Sequence, residues 1–527
     1  MKKTWKKVIA LSMTAMMVVP MIAGCTNSTG TGPVAETIIT GGENTGATGE
    51  NKSEVEKPEK ITVMVNTRIF TIPNARDAFE NKWEEMTGID MVITQPDHDA
   101  YYDVLGQTFA GGINDWPDVV LLDSTYYTGY AGEGALWDMT DAWENSELKA
   151  SGRIVDDALV EGMYLDGRLY AFAPARGNGC ITYIKKKWLD NVGLDVPTNY
   201  EEYKAMLKAF SEEDPDGNGV KGDTYGVSSA GLIATEAPWT NFLPEIFQDA
   251  YPTFYQKEDG TWVDGFTEPA MDEALLRLRE VYDNGWLDRE SLTNGTRDVR
   301  NKFYEDKFGV FTYWSGTWAT NNKLNLENNG LDGELIAIPP IAEVDAYWER
   351  VAYPAWGITV AAKNPEGIFK YFIESMLDGG DMQILWTYGV EDVHWSTKAE
   401  TVCGNEYQEG EFHFKESLEV PGTQYTKHHI EPMLSIARFD GEDPGAIAVA
   451  PEAAKSQEVF TANAKFIPLP ASTEEMADLN GDLFSLKRSI VADMVVEGLT
   501  IEEAKERFEK EGGAKWSQTI VDSLNAK

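Results

Sequence analysis

At 527 residues the chain is too long for one hydrophobic core, because single cores stop growing at roughly 250 to 300 residues, so at least two lobes are expected. Its composition, 42% hydrophobic, 25% charged and 11% aromatic, is that of a globular protein rather than a disordered one. A formal net charge of −42 repels phosphate backbones and anionic lipid headgroups, which excludes nucleic acid as a partner and electrostatic attachment to a membrane.

In chain order, Lys2, Lys3, Lys6 and Lys7 precede a mostly apolar run from Val8 to Ile22, the charged-then-apolar order of a secretory signal. The run is shorter than the roughly 20 residues a spanning helix needs. It ends in Ile22-Ala23-Gly24-Cys25, which resembles the bacterial lipobox. That resemblance implies removal of residues 1–24, lipidation of Cys25 with palmitate among the acyl groups, and a location on the extracellular face of the cell membrane. From Thr26 to Lys57 the chain is mainly Gly, Ser, Thr, Asn and Glu with almost no large apolar residue. It cannot bury enough surface to offset its ordering entropy, so residues 25–58 are expected to be a flexible tether.

The folded body is expected to begin near residue 59. Ile61, Val63 and Val65 alternate with Thr62 and Met64, which predicts a strand, and Asn74 is placed to cap the helix that follows. Phe79, Trp83 and Met86 share one helical face before Gly88, a residue at which helices commonly stop. A strand over Ile89–Thr94, a helix over Tyr101–Ala110 and the apolar run Asp118–Asp123 continue an alternation of strand and helix, the signature of an α/β lobe with a parallel sheet. Ligands of such sheets lie beyond the carboxyl ends of the strands. This directs attention to residues 66–71 and 123–127, and there to Arg68, Asp123, Tyr126 and Tyr127. A second unit is predicted from the strand Ile181–Ile184, followed by a helix holding Tyr203, Leu207 and Phe210 that Thr198 and Glu201 would open as a capping box.

Three cysteines, Cys25, Cys180 and Cys403, are too few for a disulfide framework or a cysteine-rich metal site. Pairing of Cys180 with Cys403 is left open.

Several segments in a specific order resemble one family. They are Trp116-Pro117-Asp118-Val119-Val120, the stretch Gly129 to Leu136, Tyr183 to Leu194 with its Trp188-Leu189, and Gly309-Val310-Phe311 through Trp318. Together they resemble the extracellular solute-binding proteins of ABC transporters of the maltose-binding type, family 1, and in particular their large Gram-positive lipoprotein branch. The resemblance implies a two-lobe α/β fold of the type II periplasmic-binding-protein kind, with hinge strands and a ligand cleft between the lobes. Carried over, lobe one comprises residues 59–173 plus 352–400 and lobe two residues 174–351 plus 401–527, with crossings near Ala173, Val351 and residue 400.

Asp214-Pro215-Asp216-Gly217-Asn218-Gly219 places oxygen side chains at loop positions one, three and five and Gly at six, the front half of a calcium loop, with Val220 at the position that offers a backbone carbonyl. Tyr225 stands where the bidentate Glu of a full EF-hand belongs. The lipoprotein branch completes a similar loop with a downstream Asp at position nine, whereas here that position is Gly222 and the acid is Asp223, one residue later. A structural Ca2+ held by Asp214, Asp216, Asn218, Val220 and Asp223 is the expectation. The alternative is a solvated acidic turn, since Asp, Pro, Asn and Gly all form turns readily.

The 16 tryptophans and 22 tyrosines exceed what cores demand, and Trp239, Trp314, Trp318, Tyr353, Trp356, Trp386 and Trp395 fall in loop-like segments. A pyranose stacks its C–H face on an aromatic ring while its hydroxyls bond polar side chains, so aromatics beside acids suggest carbohydrate. By resemblance, Trp318 after Gly316-Thr317 matches a sugar-stacking tryptophan and Trp239 a second aromatic position. The stretch Tyr388 to Trp395 matches one that re-enters the cleft, with Glu391 and Trp395 facing ligand. Burial in a core is the competing reading for each of these rings.

No Gly-x-Ser-x-Gly, His-Glu-x-x-His or phosphate-cradling loop occurs, and the histidines at 98, 394, 413, 428 and 429 lack helical metal-ligand spacing. The expected function is therefore a monomeric, non-enzymatic binding protein that captures a mono- or oligosaccharide by lobe closure and delivers it to membrane permease subunits. A surface sugar sensor of the same fold is the alternative, and a secreted polysaccharide-active enzyme ranks below it.

Overall fold

The computed structural model describes residues 55–526 except 67–74, 98–99, 156, 235, 350–354, 403–404, 416–429, 447–448, 469 and 471–472. The leader, Cys25 and most of the tether lie outside the described residues.

Two four-stranded sheets organise the body. In the first, Lys60–Met64 pairs in parallel with Asp90–Thr94 on one side and Val119–Leu122 on the other, with Val63 opposite Val119. Ala355–Ile358 returns from far along the chain and pairs antiparallel, Ala355 opposite Leu122. Every residue of Val119–Leu122 and of Ala355–Ile358 is buried, as expected for strands covered on both faces. The helix Arg76–Thr87 buries Phe79 and Trp83 against this sheet and stops at Gly88, whose φ of 68° suits the left-handed end of a helix.

The second sheet runs in the order Tyr225–Val227, Phe308–Trp314, Cys180–Lys185, Leu335–Ala337. Its two central strands are antiparallel, Cys180 opposite Trp314, and Tyr225–Val227 joins in parallel. The helix Tyr200–Glu212 packs Tyr203, Leu207 and Phe210 into this core, but Asn199 rather than Thr198 caps it, accepting from the Glu202 amide. Thr198 instead donates both its amide and its hydroxyl to the Glu202 carboxylate, at 2.9 and 2.8 Å. Asn199 takes the role because it is the last extended residue before the helix, where a short acceptor reaches the free amides of the first turn. The C-terminal helices Glu474–Ala492, Ile501–Lys510 and Gly513–Asn525 complete the second core through Leu483, Ile490, Phe508 and Ile520.

The chain passes between the two cores at Ala173–Cys180 and again between Glu349 and Ala355. After residue 401, where the sequence places lobe two, Ile430, Leu434, Ile436 and Ala437 still pack in the first core. The helix Pro451–Asn463 then inserts Phe460 beside Ile181 and Tyr183 of the second sheet, so the third passage falls after Ala437.

Candidate functional site

Where the first passage leaves the first core, it is tied to the segment that follows Ile430. The Arg176 amide donates to the Leu434 carbonyl at 2.7 Å and the Ile436 amide to Pro174 at 3.1 Å. Gly179 is required on the second-sheet side, because a Cβ there would lie 2.4 Å from the Trp348 carbonyl oxygen. The Ser315 amide donates to the Gly179 carbonyl at 3.0 Å, and the Ser315 hydroxyl bonds Asn178 Oδ1 and lies 3.2 Å from Gln457 Oε1. The Gly316 amide donates to Ser456 Oγ at 3.1 Å. Arg176 forks onto Glu349, with Nε 3.2 Å from Oε1 and a second bond to Oε2, so a carboxylate with almost no exposed surface is neutralised in place.

Glu431 lies on the same floor. The residue is partly exposed, yet burial alone pushes its carboxyl up to about 8. On the first-sheet side, the segments beyond the strand ends supply Asn66, Gln95 and Asp123, with Gln95 Nε2 donating to the Asn66 carbonyl at 3.1 Å.

The residues singled out from sequence distribute unevenly. Arg68 and Tyr353 lie outside the described residues. Asp123 accepts from the Tyr126 amide at 3.1 Å and opens the helix Ser124–Gly132, while its own amide donates to the Tyr102 hydroxyl at 2.7 Å. The Tyr126 ring stacks on Tyr102, centroids 3.7 Å apart and planes within 2°. Trp318 stands at the start of the helix Thr317–Asn328, next to Gly316. It is half-buried, edge-on to Tyr313 at 4.8 Å and 5.4 Å from the Arg300 guanidinium.

Other positions belong to cores. Trp356 is 0% exposed, its ring enclosed by Phe372 at 5.3 Å and Trp386 at 6.3 Å, because its strand is covered on both faces; it offers a ligand no surface. Trp239 is buried in the second core. Trp395 packs with Tyr388 and Phe412 in a small separate cluster and donates its indole N–H to the Gly389 carbonyl at 3.1 Å, and Glu391 is exposed. Sequence reasoning missed Asn178, the Arg176–Glu349 pair, Glu431 and Gln457. Nothing marked them, since Glu431 is one of 87 acidic residues and carries no motif.

The acidic loop closes on itself. Asn218 Nδ2 donates to Asp216 at 2.7 Å and to Asp223 at 2.9 Å, and the Gly219 amide donates to Asp214. Gly217, Gly219 and Gly222 all adopt positive φ. Asp223 is thus drawn to the loop despite its one-residue shift. Burial raises the Asp216 pKa, as do the neighbouring Asp214, with which its carboxyl shares a hydrogen bond, and the Asp223 charge. Two carboxylates approach this closely only by sharing a proton or a cation. The donor set is all hard oxygen and fits calcium, although among the described residues no group of three or more His, Cys, Asp or Glu side chains is arranged as a metal shell.

Residues 72–376, more than half of the chain, match the family described as bacterial extracellular solute-binding protein, and the chain belongs to that family. Lipoprotein LipO of Bacillus subtilis is 26% identical over 314 residues, 59% of this chain and 56% of LipO. The polygalacturonan/rhamnogalacturonan-binding protein YtcQ of the same organism is 22% identical over 383 residues, 68% of this chain and 72% of YtcQ. Among solved structures, an EF-hand mutant of the Streptococcus pneumoniae ABC-transporter substrate-binding protein FusA, in complex with fructo-nystose, superposes with a TM-score of 0.55 at 16% identity. That match covers 89% of this chain and 99% of FusA. The fold is therefore that of the two-lobe solute-binding proteins.

Proposed function

We propose that the protein captures a saccharide in the cleft floored by residues 174–179, 315–318 and 431–435 and delivers it to the permease of an ABC importer. One observation carries this reading. A buried carboxyl oxygen without a partner, a network of hydrogen-bonded polar side chains and a half-buried tryptophan occur where the chain passes between two cores, the place where hinge closure brings both lobes onto a ligand. The saccharide-binding relatives support it, as does the absence of any nucleophile motif. Lipidation at Cys25 holds the body at the extracellular face of the membrane, and calcium in the Asp214–Asp223 loop braces the second lobe.

The test uses Trp318→Ala and an uncharged oligosaccharide panel. Loss of a stacking anchor costs about 2 kcal/mol, roughly thirtyfold in affinity, with the unfolding midpoint of the empty protein little changed. A destabilised protein with unaltered affinity would assign Trp318 to the core and remove it from the site.

A further inference from the structure

The Glu431 carboxyl presents an unexplained oxygen. Its Oε1 is shielded from solvent and has no hydrogen-bond partner among the described residues. An unmade bond at a buried acceptor costs about 1 to 3 kcal/mol, and native folds seldom keep one without a use. Oε1 faces the bare side of Gly316: a Cβ there would meet Gln457 Oε1 at 2.9 Å, the Met433 methyl at 3.4 Å and Glu431 Oε1 at 3.6 Å. Gly316 also has a φ of 71°, so the position holds glycine for two independent reasons.

We propose that Glu431 and Gln457 are the hydroxyl-reading pair of the cleft and that they select an uncharged sugar unit over a uronate. This rests on the saccharide-capture reading above and refines it. Gln457 brings a carboxamide whose Oε1 lies 3.2 Å from the Ser315 hydroxyl oxygen and whose Nε2 lies 3.3 Å from Thr461 Oγ1. Glu431 brings a carboxyl that no charged neighbour perturbs and that burial keeps protonated at neutral pH. A protonated carboxyl beside a carboxamide offers donors and acceptors together, which is what the alternating roles of sugar hydroxyls require.

Charge around this pair disfavours the anionic alternative. Met433 and Gln457 open into a cavity of about 640 Å³ whose described lining contains Asp443 and Glu458 but no lysine or arginine. Asp443 receives the Tyr388 hydroxyl and Glu458 pairs with Lys455. On the floor itself the Arg176 guanidinium is held by Glu349. A uronate carboxylate would find acids and no uncommitted cation among these groups.

The experiment titrates full-length protein calorimetrically with kestose, raffinose, maltotriose and cellotriose, and with trigalacturonate as the anionic probe. At least one uncharged trisaccharide is expected to bind and trigalacturonate to bind more weakly. Glu431→Leu should weaken the best binder by about tenfold or more, the worth of a lost hydrogen bond in a dry site. Its melting point without sugar should be unchanged or raised, because an orphaned polar atom has been removed. Gln457→Leu, on a different element, should weaken the same sugar and decides the matter should Glu431→Leu fail to fold. Affinity retained by both variants overturns this inference while leaving saccharide capture standing, and tighter binding of trigalacturonate overturns the selectivity. If wild type binds none of the five, capture of such sugars falls, and this inference with it.

Discussion

The first sheet is clamped by aromatic rings that meet edge to face: Phe79 on Trp386 at 5.2 Å, and Phe372 on Trp386 and on Trp356 at 5.3 Å each. The second sheet has polar groups at its centre. Thr182 and Thr312 bond each other across paired strands at 2.7 Å, and Thr182 bonds the buried Glu245. The Tyr203 hydroxyl approaches that carboxyl, but neither it nor Glu245 Oε2 completes an aligned bond. Farther out, Lys487 and Asp264 form an ion pair at 2.6 Å with almost no exposure on either side. The contrast teaches that one architecture is stabilised in two ways. Aromatic packing clamps the first sheet at its centre, whereas the second sheet has an ionisable group there, Glu245, whose protonation is linked to folding.

The largest effect is expected from Trp356→Ala. Emptying that site costs about 3 to 5 kcal/mol, read as a lower urea midpoint, and the loss should be the same in mildly acidic and mildly alkaline buffer. A loss that varies with pH would break the contrast from the first-lobe side.

Glu245→Gln tests the other lobe. Burial raises this carboxyl from 4.5 to about 7. The unfolded chain thus ionises near 4.5 while the fold holds the proton until about 7. The stabilisation is complete below pH 4.5 and is lost as pH rises through 7, an effect worth up to about 3 kcal/mol. Glutamine cannot ionise, so the variant should match wild type at pH 4 and exceed it by up to that amount at pH 8. A pH-independent difference between the two proteins would remove the linkage.

Calcium gives the smallest expected effect. A cation bound only by the native state adds about 2.7 kcal/mol at a hundredfold excess over its Kd, so chelation should lower the melting temperature by the corresponding amount. Asp216→Asn should abolish the response. An unchanged melting temperature on chelation reduces the loop to a turn.

Much of the first lobe was legible because its signals are local. The alternation at Ile61–Val65, the Phe79/Trp83 spacing and Gly88 each state one element's conformation, and the structure has those elements in parallel order. The antiparallel fourth strand was not legible, because its partner lies more than two hundred residues earlier in the chain. At the helix start near residue 200, the pattern gave the helix but misplaced the cap by one residue, since Thr198 and Asn199 are chemically equivalent candidates until backbone angles choose.

The binding surface divides in the same way. Motif order and length determined the family and the two-lobe plan, because these are properties summed over many residues. Only the tertiary structure decided how far each aromatic ring is buried, turning Trp356 inward and leaving Trp318 half-exposed beside Gly316 at the edge of the second core. It alone brought Asn178, Gly316, Glu431 and Gln457 together from distant stretches of chain. A side chain's neighbours are set by where the backbone crosses itself, and a single acid among 87 carries no sign of the dielectric in which it will sit.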